Sequence, residues 1–139
     1  MKSFVFAALA ITATAQRIWI QAPVLDQQVI PGDDLVIEIQ SEDSSTPYTD
    51  IAAAIGIQPW SRGSYDGELG EYLVYQGNWS IEGFAYPQGG LYTNVTVTVP
   101  SDVPLGPAVL SVAMFQVYSS ENSPSLETAS TNISVVSSS

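Results

Sequence analysis

Strict alternation of apolar and polar residues over Leu91–Val99, LYTNVTVTV, constrains the fold more than any other feature of the chain. A period of two places successive side chains on opposite faces of an extended strand. One face carries Val95, Val97 and Val99, and the other carries Asn94, Thr96 and Thr98. This segment is therefore predicted to be a strand with one buried and one exposed face.

Other segments repeat this pattern between turn signals rich in Pro, Gly and Ser. The predicted strands are Arg17–Ala22, Leu35–Ile39, Ile51–Ile57, Leu69–Gln76, Leu91–Val99, Ala108–Tyr118 and Thr131–Val136. The alanines of Ile51–Ile57 also fit a helix, but Gly56 and the β-branched ends favour a strand. About seven strands in this spacing predict an antiparallel immunoglobulin-like β-sandwich, with a small jelly roll or barrel as the alternative.

The first fifteen residues predict a secretory signal peptide. Lys2, the apolar run Phe4–Ile11 and the small residues Ala13–Ala15 are its three parts, with cleavage expected before Gln16. The apolar run is too short to span a bilayer. We therefore expect a secreted extracellular protein with a sandwich domain over residues 16–136, a Ser tail at 137–139 and no membrane anchor.

Composition excludes several classes of function. The chain has no cysteine and no histidine, which removes disulfides and His-dependent catalysis or metal binding. Its net charge is −11, and the only cations after the predicted leader are Arg17 and Arg62. Because nucleic-acid binding requires cations against the phosphates, no nucleic-acid partner is expected.

Three Asn-X-Ser/Thr sequons are predicted sites of N-glycosylation, at Asn78, Asn94 and Asn132. Asn94 falls on the Thr face of its predicted strand. Asn132 falls opposite Ile133 and Val135. The strand pattern therefore directs both of these side chains away from the core.

Two resemblances follow from the order of short motifs. Ile20–Pro23 and Pro31–Ile37 resemble the opening of fungal immunoglobulin-like modules of the Kre9/Knh1 cell-wall type. A wider series, covering nearly the whole chain after the leader, is similar to small secreted single-domain proteins of basidiomycete fungi; it comprises Ala54–Gly56, Leu69–Gly77, Tyr92–Pro100, Gly106–Leu110 and Pro124–Thr128. The resemblance implies a fungal origin and the sandwich fold but no catalytic residue. Such relatives often carry a cysteine pair where this chain has Gln58–Gly63.

The acidic stretch Ser64–Ser80, SYDGELGEYLVYQGNWS, allows a metal or catalytic interpretation. Asp66, Glu68 and Glu71 offer hard oxygen ligands, but their spacing fails the EF-hand calcium pattern. The same residues with Glu82 form a pool of carboxylates for glycoside hydrolysis, which needs two carboxyls across a cleft. A solvated acidic loop explains them without either function, so no metal, cofactor or catalytic residue is predicted. We expect Arg62 to pair with a carboxylate of this loop.

Aromatic residues near this stretch form the candidate binding surface. Trp60, Tyr65, Tyr72 and Trp79 suit stacking on sugars or a protein interface. The competing interpretation is that the tyrosines are core or cross-strand residues. We therefore expect a non-enzymatic extracellular or cell-wall module that recognises polysaccharide or protein. The alternatives are a structural matrix component and, least favoured, a carboxylate-dependent glycan hydrolase.

Overall fold

The structure is a computed structural model that describes residues 18–42, 48–63, 69–78, 83–84, 90–118 and 122–138. The predicted leader at residues 1–15 lies outside the described residues. Within them, no helix is long and apolar enough to cross a membrane.

The described residues form nine strands and a single-turn 3₁₀ helix, Trp60–Arg62. The strands are β1 Ile18–Ala22, β2 Gln27–Val29, β3 Asp34–Ser41, β4 Tyr48–Pro59, β5 Tyr72–Asn78, β6 Gly83–Phe84, β7 Leu91–Thr98, β8 Gly106–Tyr118 and β9 Ser123–Val135. They make a four-stranded sheet, β1-β3-β7-β6, and a five-stranded sheet, β2-β9-β8-β4-β5. This arrangement confirms the predicted β-sandwich.

The strand pairings are antiparallel except for one. β2 pairs with β9 in parallel, because the chain leaves the four-stranded sheet after β1 and joins the edge of the other sheet. Each of the seven predicted segments corresponds to a strand. The two additional strands, β2 and β6, are three and two residues long, too short to show a periodic pattern.

The core lies between the two sheets and is built by the predicted alternation. Val95 and Val97 of β7 pair with Ile37 and Leu35 of β3, and all four side chains are buried. The facing sheet contributes Ile55 and Ile57 of β4, with Leu110, Val112 and Met114 of β8. Burial of these side chains removes apolar surface from water and is the main stabilising contribution in a chain without cysteine.

β9 begins at Ser123 rather than at the predicted Thr131. The sequence Ser123–Ser130, SPSLETAS, precedes the predicted strand, is mostly polar and includes Pro124. Its backbone nevertheless pairs with β8 through Tyr118–Ser111. Pairing with a central apolar neighbour overrides the low strand propensity of these residues.

Candidate functional site

The most exposed ring described in the structure is Trp60, in the turn that follows β4. Trp60 is 57% exposed, and its carbonyl accepts a hydrogen bond from the Gly63 amide at 3.1 Å. Gly63 has a φ of +89°, a conformation that glycine adopts without strain. Buried Pro59 precedes the turn with an extended backbone. These residues fix the course of the backbone on both sides of the indole.

The Gln58 side chain links the two ends, Gly63 and Glu71, of the loop between the Trp60 turn and β5. The side chain is 7% exposed. Its Nε2 donates to the Gly63 carbonyl at 3.2 Å, and its Oε1 accepts from the Glu71 amide at 2.9 Å. A buried amide satisfied on both sides orders the backbone that it bridges. The Trp60 turn is therefore attached to the start of β5 as well as to β4.

Two glycines permit the chain to return close to β4. A Cβ on Gly70, which has a φ of +112°, would lie 2.5 Å from the Ile57 carbonyl carbon. A Cβ on Gly56 would overlap the Leu69 carbonyl. Leu69 and Gly70 thus lie directly against the β4 backbone beside the Trp60 turn. We call Trp60–Gly63 with Leu69–Tyr72 the Trp60 end.

Polar contacts complete the Trp60 end. The Arg62 guanidinium lies 3.7 Å from the Glu71 carboxylate, which confirms the expectation that Arg62 pairs with a carboxylate of this loop. Both side chains are partly exposed, so the pair contributes little stability. The Tyr72 hydroxyl donates to the Asp102 carbonyl at 3.2 Å.

The structure brings Trp60 and Tyr72 to the same end of the domain but in different environments. Tyr72 is half-buried and packs against the core, as does Tyr75, whose hydroxyl donates to the Asn78 carbonyl at 2.7 Å. The candidates Tyr65 and Trp79 lie outside the described residues. Of the candidate aromatic residues that the structure describes, Trp60 is therefore the exposed one, and these residues do not form a strip.

Of the four acidic candidates, only Glu71 is described, and it pairs with Arg62. Asp66, Glu68 and Glu82 lie outside the described residues. No group of three or more metal-ligating side chains occurs in the part of the chain that the structure describes.

A carboxylate that the sequence analysis did not select lies at the opposite end of β4. Asp50 accepts a hydrogen bond from Gln116 Nε2 at 2.8 Å, and the Gln116 side chain is buried. Burial raises the pKa of the Asp50 carboxyl, and the hydrogen bond from Gln116 opposes this shift. Because Asp50 pairs with Gln116 next to a β-bulge, its position depends on strand register, which the sequence pattern does not reveal.

A second tryptophan lies on the outer face of the four-stranded sheet. Trp19 Nε1 donates to Gln40 Oε1 at 3.1 Å, and Gln40 Nε2 donates to Glu38 Oε1 at 2.8 Å. The Gln40 side chain is buried although it lies on this outer face. The half-buried Trp19 is therefore engaged in a local hydrogen-bond network.

The three sequon asparagines lie on strands, and none of them is in the core. Asn78 and Asn94 are exposed and Asn132 is half-buried. Ile133 and Val135, which flank the third sequon, are buried as expected. Occupancy by glycan remains a prediction.

The sandwich and the ordered, aromatic Trp60 end define an all-β domain with a candidate recognition surface. A sequence profile of the Nis1 family matches residues 13–134. The chain therefore belongs to the Nis1 family. No curated protein matches it.

Three solved structures are similar to most of this chain at low sequence identity. A superoxide reductase (neelaredoxin) from Ignicoccus hospitalis is 12% identical, with a TM-score of 0.49, and the match covers 88% of this chain and 83% of that chain. The fibronectin(III)-like modules of Clostridium thermocellum CbhA are 17% identical, with a TM-score of 0.40 and coverage of 85% and 93%. Neutral ceramidase from Pseudomonas aeruginosa is 12% identical, with a TM-score of 0.44 and coverage of 90% of this chain but 19% of that chain.

Proposed function

We propose that this member of the Nis1 family is a secreted, non-enzymatic fungal protein that recognises a partner through its Trp60 end. The observation that carries the proposal is a tryptophan 57% exposed on a turn tied to two strands by buried Gln58. Tryptophan is enriched at protein interfaces and among the few residues that carry most of the binding energy there. Because the turn is ordered before binding, little conformational entropy is lost when a partner covers it.

The geometry favours a protein partner over a polysaccharide. Pyranose platforms use several rings with a common exposed plane, whereas Tyr72 is half-buried and hydrogen-bonded to the Asp102 carbonyl. Leu105, 59% exposed, precedes β8, whose Ala108 pairs with Pro59 next to Trp60. An aromatic anchor accompanied by an exposed leucine and an Arg–Glu pair is the composition of a protein interface.

Two experiments separate the possible ligands. The first measures retention of the protein on chitin, β-glucan and cellulose. Retention that is lost in Trp60→Ala would show that the ligand is a polysaccharide rather than a protein. A photo-crosslinking amino acid at position 61, in place of exposed Ser61 and with Trp60 intact beside it, should give a discrete adduct with extracellular proteins. The same amino acid at Val36, 52% exposed on the outer face of the other sheet, is the matched control.

An adduct formed from position 61 and absent from position 36 supports protein recognition. Equal labelling from both positions, together with no retention on any of the polysaccharides, would favour a matrix component without a specific ligand. Hydrolysis of a glycan panel that is lost on combined substitution of Glu68, Glu71 and Glu82 would contradict the non-enzymatic assignment.

A further inference from the structure

The outer face of the five-stranded sheet has no charged side chain in the described parts of β4, β5, β8 and β9. The chain contains fourteen acidic residues. The only two on these strands are Asp50 and Glu127. They pair with the buried residues Gln116 and Met114, which places both on the inner face. We call the outer surface of these four strands the neutral face.

The neutral face combines small and large apolar residues. Phe115 and Leu126 pair directly across β8 and β9, and they are 39% and 67% exposed. On the neighbouring strand β4, Ala52 pairs with Phe115. Two residues further along β4, Ala54 pairs with Ala113, and both of these side chains also point outward. An apolar ridge therefore adjoins a floor of alanines. Leu73, also exposed, lies on the same face because it pairs with Gly56.

The outer face of the four-stranded sheet differs in charge. It carries Glu38, and Asp34, whose carboxylate accepts from the Thr98 hydroxyl at 2.9 Å. Two copies of a chain with net charge −11 repel each other wherever carboxylates are apposed. The described strands of the neutral face carry no outward carboxylate, so repulsion between apposed strands is smaller there than on the outer face of the four-stranded sheet.

We propose that the neutral face, when Asn78 and Asn132 carry no glycan, is an interface between two copies of this chain. A twofold axis would seat the Phe115–Leu126 ridge of one copy on the Ala52, Ala54 and Ala113 floor of its partner, as self-complementary interfaces require. Face-to-face sheets pack at a separation of about 10 Å with interdigitating side chains. The pair would carry two Trp60 ends and would bind a repetitive partner with avidity.

The size of the neutral face agrees with a stable interface. β8 and β9 pair over thirteen residues each, and β4 and β5 extend the same face sideways. At strand spacings of about 4.8 Å and a rise of about 3.3 Å per residue, the face measures roughly 20 Å by 30 Å. Accessible area exceeds this flat area, so the face approaches the ~800 Å² that each partner buries in a standard complex.

Two sequons lie on the neutral face, so the protein to be tested must carry no glycan at either of them. Asn78 pairs with Ala52, and Asn132 pairs with Val109, so both side chains share the outward face with Phe115. A glycan at either position would cover the interface. The test therefore uses the chain expressed with its own leader and carrying Asn78→Gln and Asn132→Gln.

Sedimentation of this double variant over a micromolar concentration series should show a monomer–dimer equilibrium. Added salt should increase the dimer fraction, because it screens the remaining charge repulsion. Leu126→Glu in the same background should remain monomeric throughout. Val36→Glu, an equally drastic change at an exposed residue of the other sheet, should leave the equilibrium unchanged.

Two results would overturn the proposal. One is a double variant that stays monomeric at the highest concentration in high salt. The other is a dimer that persists in Leu126→Glu with an unchanged dissociation constant. Circular dichroism of each variant distinguishes loss of dimer from loss of fold. A dimer that fails to form leaves recognition by Trp60 unaffected, so the two proposals fail separately.

Discussion

Gln58 is the residue on which the order of the Trp60 end depends. Gln58→Ala removes the acceptor of the Glu71 amide and the donor to the Gly63 carbonyl. Leaving these groups without their partner should lower the free energy of unfolding by about 1–3 kcal/mol. Chemical denaturation measures the loss, and hydrogen exchange should show faster exchange of the Glu71 amide.

Gln58→Glu is the matched variant, because a carboxylate can accept from the Glu71 amide but cannot donate to the Gly63 carbonyl. It should retain protection of the Glu71 amide while still losing stability. Protection at Glu71 that is equal in wild type, Gln58→Ala and Gln58→Glu would show that Gln58 does not hold the turn.

Asp50 gives a pH dependence with a defined sign. Since burial raises the pKa of Asp50 in the folded chain, the folded chain takes up this proton at a higher pH than the unfolded chain. The ionised carboxylate therefore reduces stability above its raised pKa. Protonation removes this cost as the pH falls through that pKa toward the ordinary value of 3.8.

Asp50→Asn keeps an oxygen acceptor for Gln116 and removes the charge. We expect this variant to be more stable than wild type near neutral pH and to lose the advantage below pH 3.8. Urea denaturation across the pH range measures both curves. A variant less stable than wild type at neutral pH would contradict the assigned origin of the shift.

At the scale of elements, the return of the chain against β4 requires glycine at position 70. Gly70→Ala would introduce both an unfavourable φ and an overlap with the Ile57 backbone. We expect a loss of about 3 kcal/mol or more, measured by thermal denaturation. Gly63→Ala is the control, since its φ is also positive but no atom lies within 4 Å of the added Cβ.

The control should therefore lose about 1–3 kcal/mol, the cost of placing a side chain on an extended backbone with positive φ. Similar losses for Gly63→Ala and Gly70→Ala would mean that close packing of Gly70 on β4 adds nothing to stability.

The sequence predicted those strands whose two faces differ in polarity. The alternation of Val95 and Val97 with Thr96 and Thr98 is reproduced directly as burial and exposure in β7. The first half of β9 escaped prediction because its residues are mostly polar on both faces. Its strand conformation comes from pairing with β8, a long-range contact that local periodicity does not encode.

The candidate site was only partly predictable from the sequence. Trp60 was selected as an aromatic residue, and the pairing of Arg62 with a loop carboxylate was expected from their charges. Gln58 was missed because its role requires contacts with Gly63 and Glu71 on a returning loop. A polar residue between buried Ile57 and Pro59, at the end of an apolar strand, is the signal that such contacts exist.

At the scale of the whole molecule, the two proposed surfaces occupy different places. The Trp60 end lies where β4 ends and β5 begins, and the neutral face covers the outer surface of the same sheet. Trp60→Ala should therefore abolish the crosslinked adduct and leave dimerisation unchanged. Its free energy of unfolding should change by no more than about 0.5 kcal/mol, the usual range for surface substitutions. Parallel loss of stability in this variant would indicate a structural role for the ring.

The most direct test of recognition through the Trp60 end is the affinity of the partner captured from position 61. Its dissociation constant should be measured with wild type, Trp60→Ala and Val36→Ala, under conditions where all three are folded. Trp60→Ala should weaken binding about tenfold or more, as expected for a buried aromatic anchor, and Val36→Ala should bind as wild type does. Equal affinity of wild type and Trp60→Ala would contradict recognition through the Trp60 end.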